Sequence, residues 1–191
     1  MIPDKIESER IIFKKISRDE LSPKKLYKYV SEDAPHINDI VKNLPWVPHR
    51  HVKETEDFIK RCEKKWSTRE SFSYVMYVDN EFIGLAGLTP FWDRKCAEIG
   101  LWLRKEFWGN GYSGERADVL IKLVFEELDL DMVYIDHEVD NKKSEKAIKK
   151  YVSRYNGQYD GILRNYEYNS GEIKDVKRYT ILKNQYYNKK E

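Results

Sequence analysis

Along this chain the spacing of apolar residues alternates between helical and extended periods, and each switch predicts an element. Residues 52–66 place Thr55, Phe58, Ile59, Cys62 and Trp66 on one helical face. Glu54, Glu56 and Asp57 in its first turn and Lys64 and Lys65 in its last suit the helix dipole. The period then shortens. Residues 72–78 and 81–88 are β-rich runs separated by Asp79-Asn80, a hairpin signal. Asp93-Arg94-Lys95 breaks the chain before a third strand over 97–103, which predicts an antiparallel meander. Helical spacing returns over 111–128 through Ala117, Leu120, Ile121, Val124 and Leu128. A strand is expected over 132–139, and then a helix over 141–152 with Ser144, Ala147, Ile148, Tyr151 and Val152 at three-four spacing. Upstream, 10–16 reads as a strand, with two short helical patches near 19–30 and 35–44. Pro45-Trp46-Val47-Pro48 then forces an extended or turning segment. The tail over 155–182 reads as two more strands.

Strands, then helix–strand–helix, then strands predict a mixed α+β fold, a sheet with helices packed on its faces. At 191 residues a single domain over 1–191 is the expectation, and a chain this long buries enough surface to need no staple. Basic and acidic residues nearly balance, at a net charge of +2, which excludes a histone-type polyanion binder but not a local basic patch. Aromatics at 14% argue against disorder, since a disordered chain carries few. Cys62 and Cys96 have no C-x-x-C spacing and read as buried, reduced thiols. No signal-peptide pattern opens the chain and no apolar run approaches a membrane span, so a soluble, cytoplasmic protein with no membrane partner is expected.

The segment from Glu98 to Glu115 concentrates the chemistry. A strand runs into the turn Trp108-Gly109-Asn110-Gly111-Tyr112-Ser113-Gly114 and directly on into an amphipathic helix. Such a junction leaves main-chain N–H groups pointing at any anion above the helix start. Gly109, Gly111 and Gly114 lack a Cβ, so a phosphate could approach closely. A glycine-rich turn that merely packs fits the same residues. The segment is not a P-loop, for it lacks Gly-Lys-Ser/Thr, and not a Rossmann fingerprint, for its strand follows a meander.

The meander, this turn, the helix and strand after it, and Asn141-x-x-Ser144 together resemble the GNAT superfamily of N-acetyltransferases, in the branch that includes the ribosomal-protein N-terminal acetyltransferases. The resemblance spans about residues 8–185. It implies a roughly seven-stranded, mostly antiparallel sheet, splayed between its fourth and fifth strands, with helices on both faces. It implies acetyl-CoA as cosubstrate, with turn amides on the pyrophosphate. Trp108 takes the family's Gln/Arg position and Ser113 its final Gly/Ala position. Leu101, Trp102 and Leu103 would offer main-chain groups to pantetheine, and Asn141 would lie near the same arm. The alternative for Asn141 is a plain N-cap, and the two are compatible.

Acetyl transfer to an amine needs a base for the ammonium proton and a polarised thioester. Glu98 matches the family's glutamate base; the alternative is a strand-end glutamate paired with Arg94 or Lys95. The family's tyrosine acid, seven residues after the asparagine, is Ile148 here, so that role is vacant. Ser144 matches the branch's serine, expected to position the thioester sulfur, and Tyr151 is a fallback that reads equally as core. Lys142, Lys143, Lys146, Lys149, Lys150 and Arg154 make a basic helix, either a solvated face or a contact for adenosine phosphates or RNA. Asp136, Glu138 and Asp140 alternate on one strand face and could recognise a cationic amine. His49 and His51 lack a third ligand, and no metal is expected. Eight tyrosines after residue 150 fit half-buried strands better than base stacking.

The implied activity is transfer of acetyl from acetyl-CoA to a primary amine, on a peptide N-terminus or a small molecule. Residues 43–52 are expected to help form the acceptor cleft. Competing readings are a silent acyl-CoA sensor and a ribosome- or RNA-binding module; no RNA-binding signature supports the latter. A homodimer is left open.

Overall fold

The computed structural model describes residues 2–169 and 171–188, apart from the side chains of residues 167 and 168. The second of these is the one tail tyrosine, Tyr168, whose ring lies outside the described residues. The elements in chain order are β1 (Lys5–Glu7), β2 (Ile12–Lys15), α1 (Pro23–Val30), α2 (Ile37–Val41), α3 (Val52–Ser67), β3 (Phe72–Val78), β4 (Glu81–Phe91), β5 (Cys96–Leu103), α4 (Tyr112–Lys122), β6 (Met132–Glu138), α5 (Lys142–Arg154), β7 (Gln158–Asn169), β8 (Glu172–Leu182) and α6 (Lys183–Tyr187). Eight strands hydrogen-bond in the order β1-β2-β3-β4-β5-β6-β8-β7. β5 and β6 pair in parallel, as expected for strands joined through a helix.

The count is one above the expected seven, because Lys5–Glu7 adds an antiparallel edge strand to β2. The extra strand changes only the numbering of the splay. Parallel pairing runs Cys96↔Met132, Ala97↔Val133 and Glu98↔Tyr134 and then stops, between the two strands expected to part, which are β5 and β6 here. Both faces of β3 are covered, since Tyr74, Val75, Met76 and Tyr77 are buried in succession and neighbouring side chains point to opposite faces. Among the described residues no helix is long and apolar enough to cross a membrane.

The chain forms two compact units. One is centred on Pro3–Gly87 and Leu101–Asn110, the other on Leu88–Gly100 and the chain from Gly111 onward. In the first, Ser22 caps α1 by accepting from the Lys25 N–H, and proline follows at once, where a missing N–H costs nothing. The buried residues of α3 are Thr55, Ile59, Cys62 and Trp66, four of the five expected, with Phe58 half-buried. Ile59 and Cys62 join Leu26, Val30, Val75, Tyr77, Phe82 and Leu85 in one core cluster. Asp79 and Asn80 both have positive φ, 49° and 63°, the conformation that a tight hairpin of this twist requires.

In the second unit the expected helix over 111–128 changes pitch. From Leu123 to Glu127 it is π-helical, and the Leu128 N–H reaches back five residues to the Leu123 carbonyl. This wider turn buries Leu123, Val124 and Phe125 in succession, which a regular helix face does not. The residues buried on α5 are Ile148, Tyr151 and Val152, as expected, together with Glu145. The Glu145 carboxylate is 2.8 Å from both Lys149 and Lys177, and these hydrogen bonds hold its pKa down to about 2.

Candidate active site

The turn before α4 is built by glycine. Gly109 and Gly111 have φ of 81° and 85°, the left-handed region that a β-carbon disfavours. Gly111 is the N-cap of α4 and brings no side-chain hydrogen bond to it. The cap residue therefore supplies no side-chain acceptor to the first main-chain donors of the helix. Nothing lies within 4 Å of where a Gly109 Cβ would stand, so that side of the turn is open. Asn110 folds its amide toward the Trp108 carbonyl at 3.4 Å, and its own carbonyl accepts from Arg10 at 3.0 Å. On the helical side, Tyr112 and Ser113 start α4, and the Gly114 N–H donates to the Gly111 carbonyl. Arg154 donates to the Gly114 carbonyl at 3.3 Å and forks onto Asp118 at 2.8 Å. An open cradle of glycines at a helix start fits an anion such as the pyrophosphate of acetyl-CoA.

The strand end before the turn is packed as well as exposed. Leu103 is buried, and its carbonyl accepts from the Trp108 indole N–H at 2.9 Å. Trp102 is half-buried, with its ring 5.7 Å from Phe82 and 5.9 Å from Trp46. Leu101 is half-buried. The sequence places Trp46 in the segment expected at the acceptor cleft. The same aromatic group continues to His49 and Phe58, and burial pushes the His49 imidazole, 2.7 Å from the Thr55 hydroxyl, below its ordinary pKa.

Glu98 stands half-buried on β5. The Tyr134 hydroxyl donates to its carboxylate at 3.4 Å. Burial pushes the Glu98 carboxyl above its ordinary range, and the negative charge of Asp136 pushes the same way. The Tyr134 hydrogen bond and the Arg178 guanidinium oppose both. The strand-end ion pair considered from sequence does not form: Arg94 lies over the Phe91 ring at 4.3 Å, and the Lys95 ammonium is 4.0 Å from Asp131. A half-buried carboxyl with a raised pKa is chemically suited to accept a proton near neutral pH.

The acidic face of β6 is already occupied. Arg178 clamps Asp136 with two hydrogen bonds of 2.9 and 2.5 Å, and buried Glu138 accepts from Asn169. Both carboxylates thus have internal partners, which leaves little of this face for a cationic amine. The sequence signal for the clamp is weak, because Arg178 lies forty-two residues from Asp136 and only the β6–β8 register aligns them.

Asn141 is the N-cap of α5, its side-chain oxygen accepting from the Ser144 N–H at 3.1 Å. The cap thus brings two expected site residues together, with Ser144 half-buried. Tyr151 is fully buried and reads as core. Three of the six cations on α5 have acidic partners, Lys142 and Lys149 on Glu145 and Arg154 on Asp118. Sequence reasoning missed Arg116. It falls four residues before Leu120 on the buried stripe of α4, and it is 1% exposed.

A family model described as an acetyltransferase (GNAT) domain matches residues 10–151. The chain belongs to the GNAT acetyltransferases. Among curated relatives of this GNAT chain, the uncharacterized N-acetyltransferase p20 of Bacillus licheniformis is 26% identical over 151 residues, 78% of this chain and 83% of that protein. Among solved structures, the apo form of RimL, a ribosomal L7/L12 alpha-N-protein acetyltransferase, matches with a TM-score of 0.79 at 18% identity, covering 95% of this chain and 96% of that one. The self-immunity acetyltransferase MccE, solved with acetyl-CoA and AMP, also matches at 0.79, with 19% identity over 95% of this chain and 97% of that one. These likenesses show that the GNAT fold is shared.

Proposed function

We propose that this acetyltransferase moves the acetyl group of acetyl-CoA to a primary amine, on a protein N-terminus or a small molecule, by direct attack in a ternary complex. One domain over residues 1–191, acting in the cytoplasm, carries the reaction. The observation that supports the donor most is the turn. Two left-handed glycines precede an 11-residue helix whose N-cap supplies no side chain, the arrangement a pyrophosphate needs. In this reading the amides of residues 108–114 hold the pyrophosphate, the main chain of Leu101, Trp102 and Leu103 pairs with pantetheine, and Asn141 lies along that arm. Glu98, directly or through water, takes a proton from the acceptor ammonium. The freed amine nitrogen attacks the thioester carbonyl, the tetrahedral adduct collapses with cleavage of the C–S bond, and the nitrogen's second proton passes to the departing CoA sulfur. Ser144 positions the sulfur.

Acetyl-CoA turnover against peptide N-termini, polyamines, aminoglycosides and small metabolite amines tests the reading, with acetylated amine as the expected product. Tight CoA binding without turnover on any amine would point to an acyl-CoA sensor. The cradle has its own test in Gly111→Val. A branched side chain at φ 85° crowds the space left for phosphate oxygens and strains the backbone, so CoA affinity and thermal stability are measured together. A folded variant that kept wild-type CoA affinity would remove the cradle.

A further inference from the structure

The core of the second unit contains a buried charge with no ion pair at hydrogen-bond distance among the described residues. Arg116 is 1% exposed, and its Nε and Nη1 find no hydrogen-bond partner among the described residues. Its guanidinium lies 6.0 Å from the centroid of the Tyr151 ring, and the Tyr151 hydroxyl is itself buried and unpartnered among the described residues. Glu115 directly precedes it on the helix, and Asp118, whose charge favours the guanidinium, also accepts from Arg154 and from the Tyr155 hydroxyl. An arginine cannot relieve such a position by losing its proton, because it stays charged at any physiological pH. Burying an ion without a partner is among the costlier things a fold does. A methionine or leucine would satisfy this stripe of α4, beside Ala117 and Leu120, at no such cost.

The location suggests what offsets the cost. Arg116 is in the first turns of α4, five residues past the N-cap Gly111. Side chains on a helix lean toward its N-terminus, so a residue at this position is directed toward the turn end of α4. There its charge adds to the positive end of the helix dipole, which by itself amounts to about half a charge. Of the other cations near this helix start, Arg154 is paired with Asp118 and Arg10 donates to the Asn110 carbonyl. We infer that Arg116 is the buried countercharge of the anion held at the N-terminus of α4, a positioning residue that attracts the donor's pyrophosphate through the protein without touching it. The inference rests on the donor site proposed above and identifies what strengthens it. On this account the apo protein carries an electrostatic penalty that donor binding relieves.

Arg116→Met and Arg116→Lys are compared with wild type for binding of CoA and of pantetheine, which lacks the phosphates, and for apo melting temperature. A unit charge acting at short range through protein of effective dielectric about 20 is sufficient for at least a tenfold effect. Arg116→Met is expected to weaken CoA about tenfold, leave pantetheine within twofold, and melt no lower than wild type. Arg116→Lys is expected to keep most of the CoA affinity. Equal loss for both ligands, an apo Met variant that melts well below wild type or fails to fold, or a Lys variant as weak as Met would each overturn the inference. Wild-type protein that binds pantetheine as tightly as CoA would remove the phosphate site itself. A wild-type preference for CoA that Arg116→Met leaves intact would remove only the role of Arg116.

Discussion

Glu98 draws its chemistry from three neighbours that act on it differently. Burial and Asp136 favour its protonated form, and Tyr134 with Arg178 keeps the rise in check. If it is the base, kcat/KM falls on the acid side as the carboxyl gains its proton. Because the pKa is raised, that limb lies above the usual carboxylate range. Glu98→Gln keeps the shape and removes the proton acceptor, so kcat is expected to fall at least a hundredfold, the lower end for a positioned base. The acid limb should vanish and part of the rate should return at high pH, where the amine is already neutral. Near-normal kcat for the variant from about pH 6 to 9, a span bracketing ordinary amine titration, would make Glu98 structural. The setting of this residue is readable in sequence, since Ile99 and Leu103 flank it on an apolar strand. The charged pair beside it is not. Asp136 and Arg178 meet only through strand register, and register over forty residues leaves no local trace.

Among the elements, α5 shows how one residue serves two expectations. The sequence allows Asn141 to be a cap, a pantetheine contact, or both, and its side-chain oxygen does cap the helix through the Ser144 N–H. Asn141→Ala should therefore cost about 0.5–2 kcal/mol of stability, read by denaturant unfolding. Asn141→Asp should restore the cap. If it restores stability but leaves acetyl-CoA KM raised, the amide group acts on the donor; if it restores both, capping is the whole role. The helices and central strands follow from periodicity because their faces are buried along their length. Two features escape it. β1 is three residues long, too short to show a period, and is held by pairing with β2. The π-helical turn over Leu123–Glu127 looks like ordinary helix in sequence, since one added residue per turn leaves the apolar content unchanged.

For the molecule as a whole, the sheet depends on close main-chain approach at Gly84. A Cβ there would stand 2.1 Å from the Trp102 carbonyl oxygen, at a φ of 151°. Gly84→Ala should lose on the order of 3 kcal/mol from strain and forced strand separation. Its melting temperature should drop accordingly, and an unchanged one would show that the strand end moves freely. Glycine at this position is visible in the sequence, but the reason for it is not, since the partner strand lies eighteen residues downstream. The meander and the glycine turn were legible because they are local. The added edge strand was not, since three residues show no period. The interleaving of the units has a consequence for synthesis. When the first 87 residues have left the ribosome, the aromatic cluster of Trp46 and Phe82 still lacks Trp102, which is translated only after part of the other unit. The earlier-made unit therefore cannot complete its core until about residue 110 has emerged, and until then its apolar strands are a natural client for chaperones.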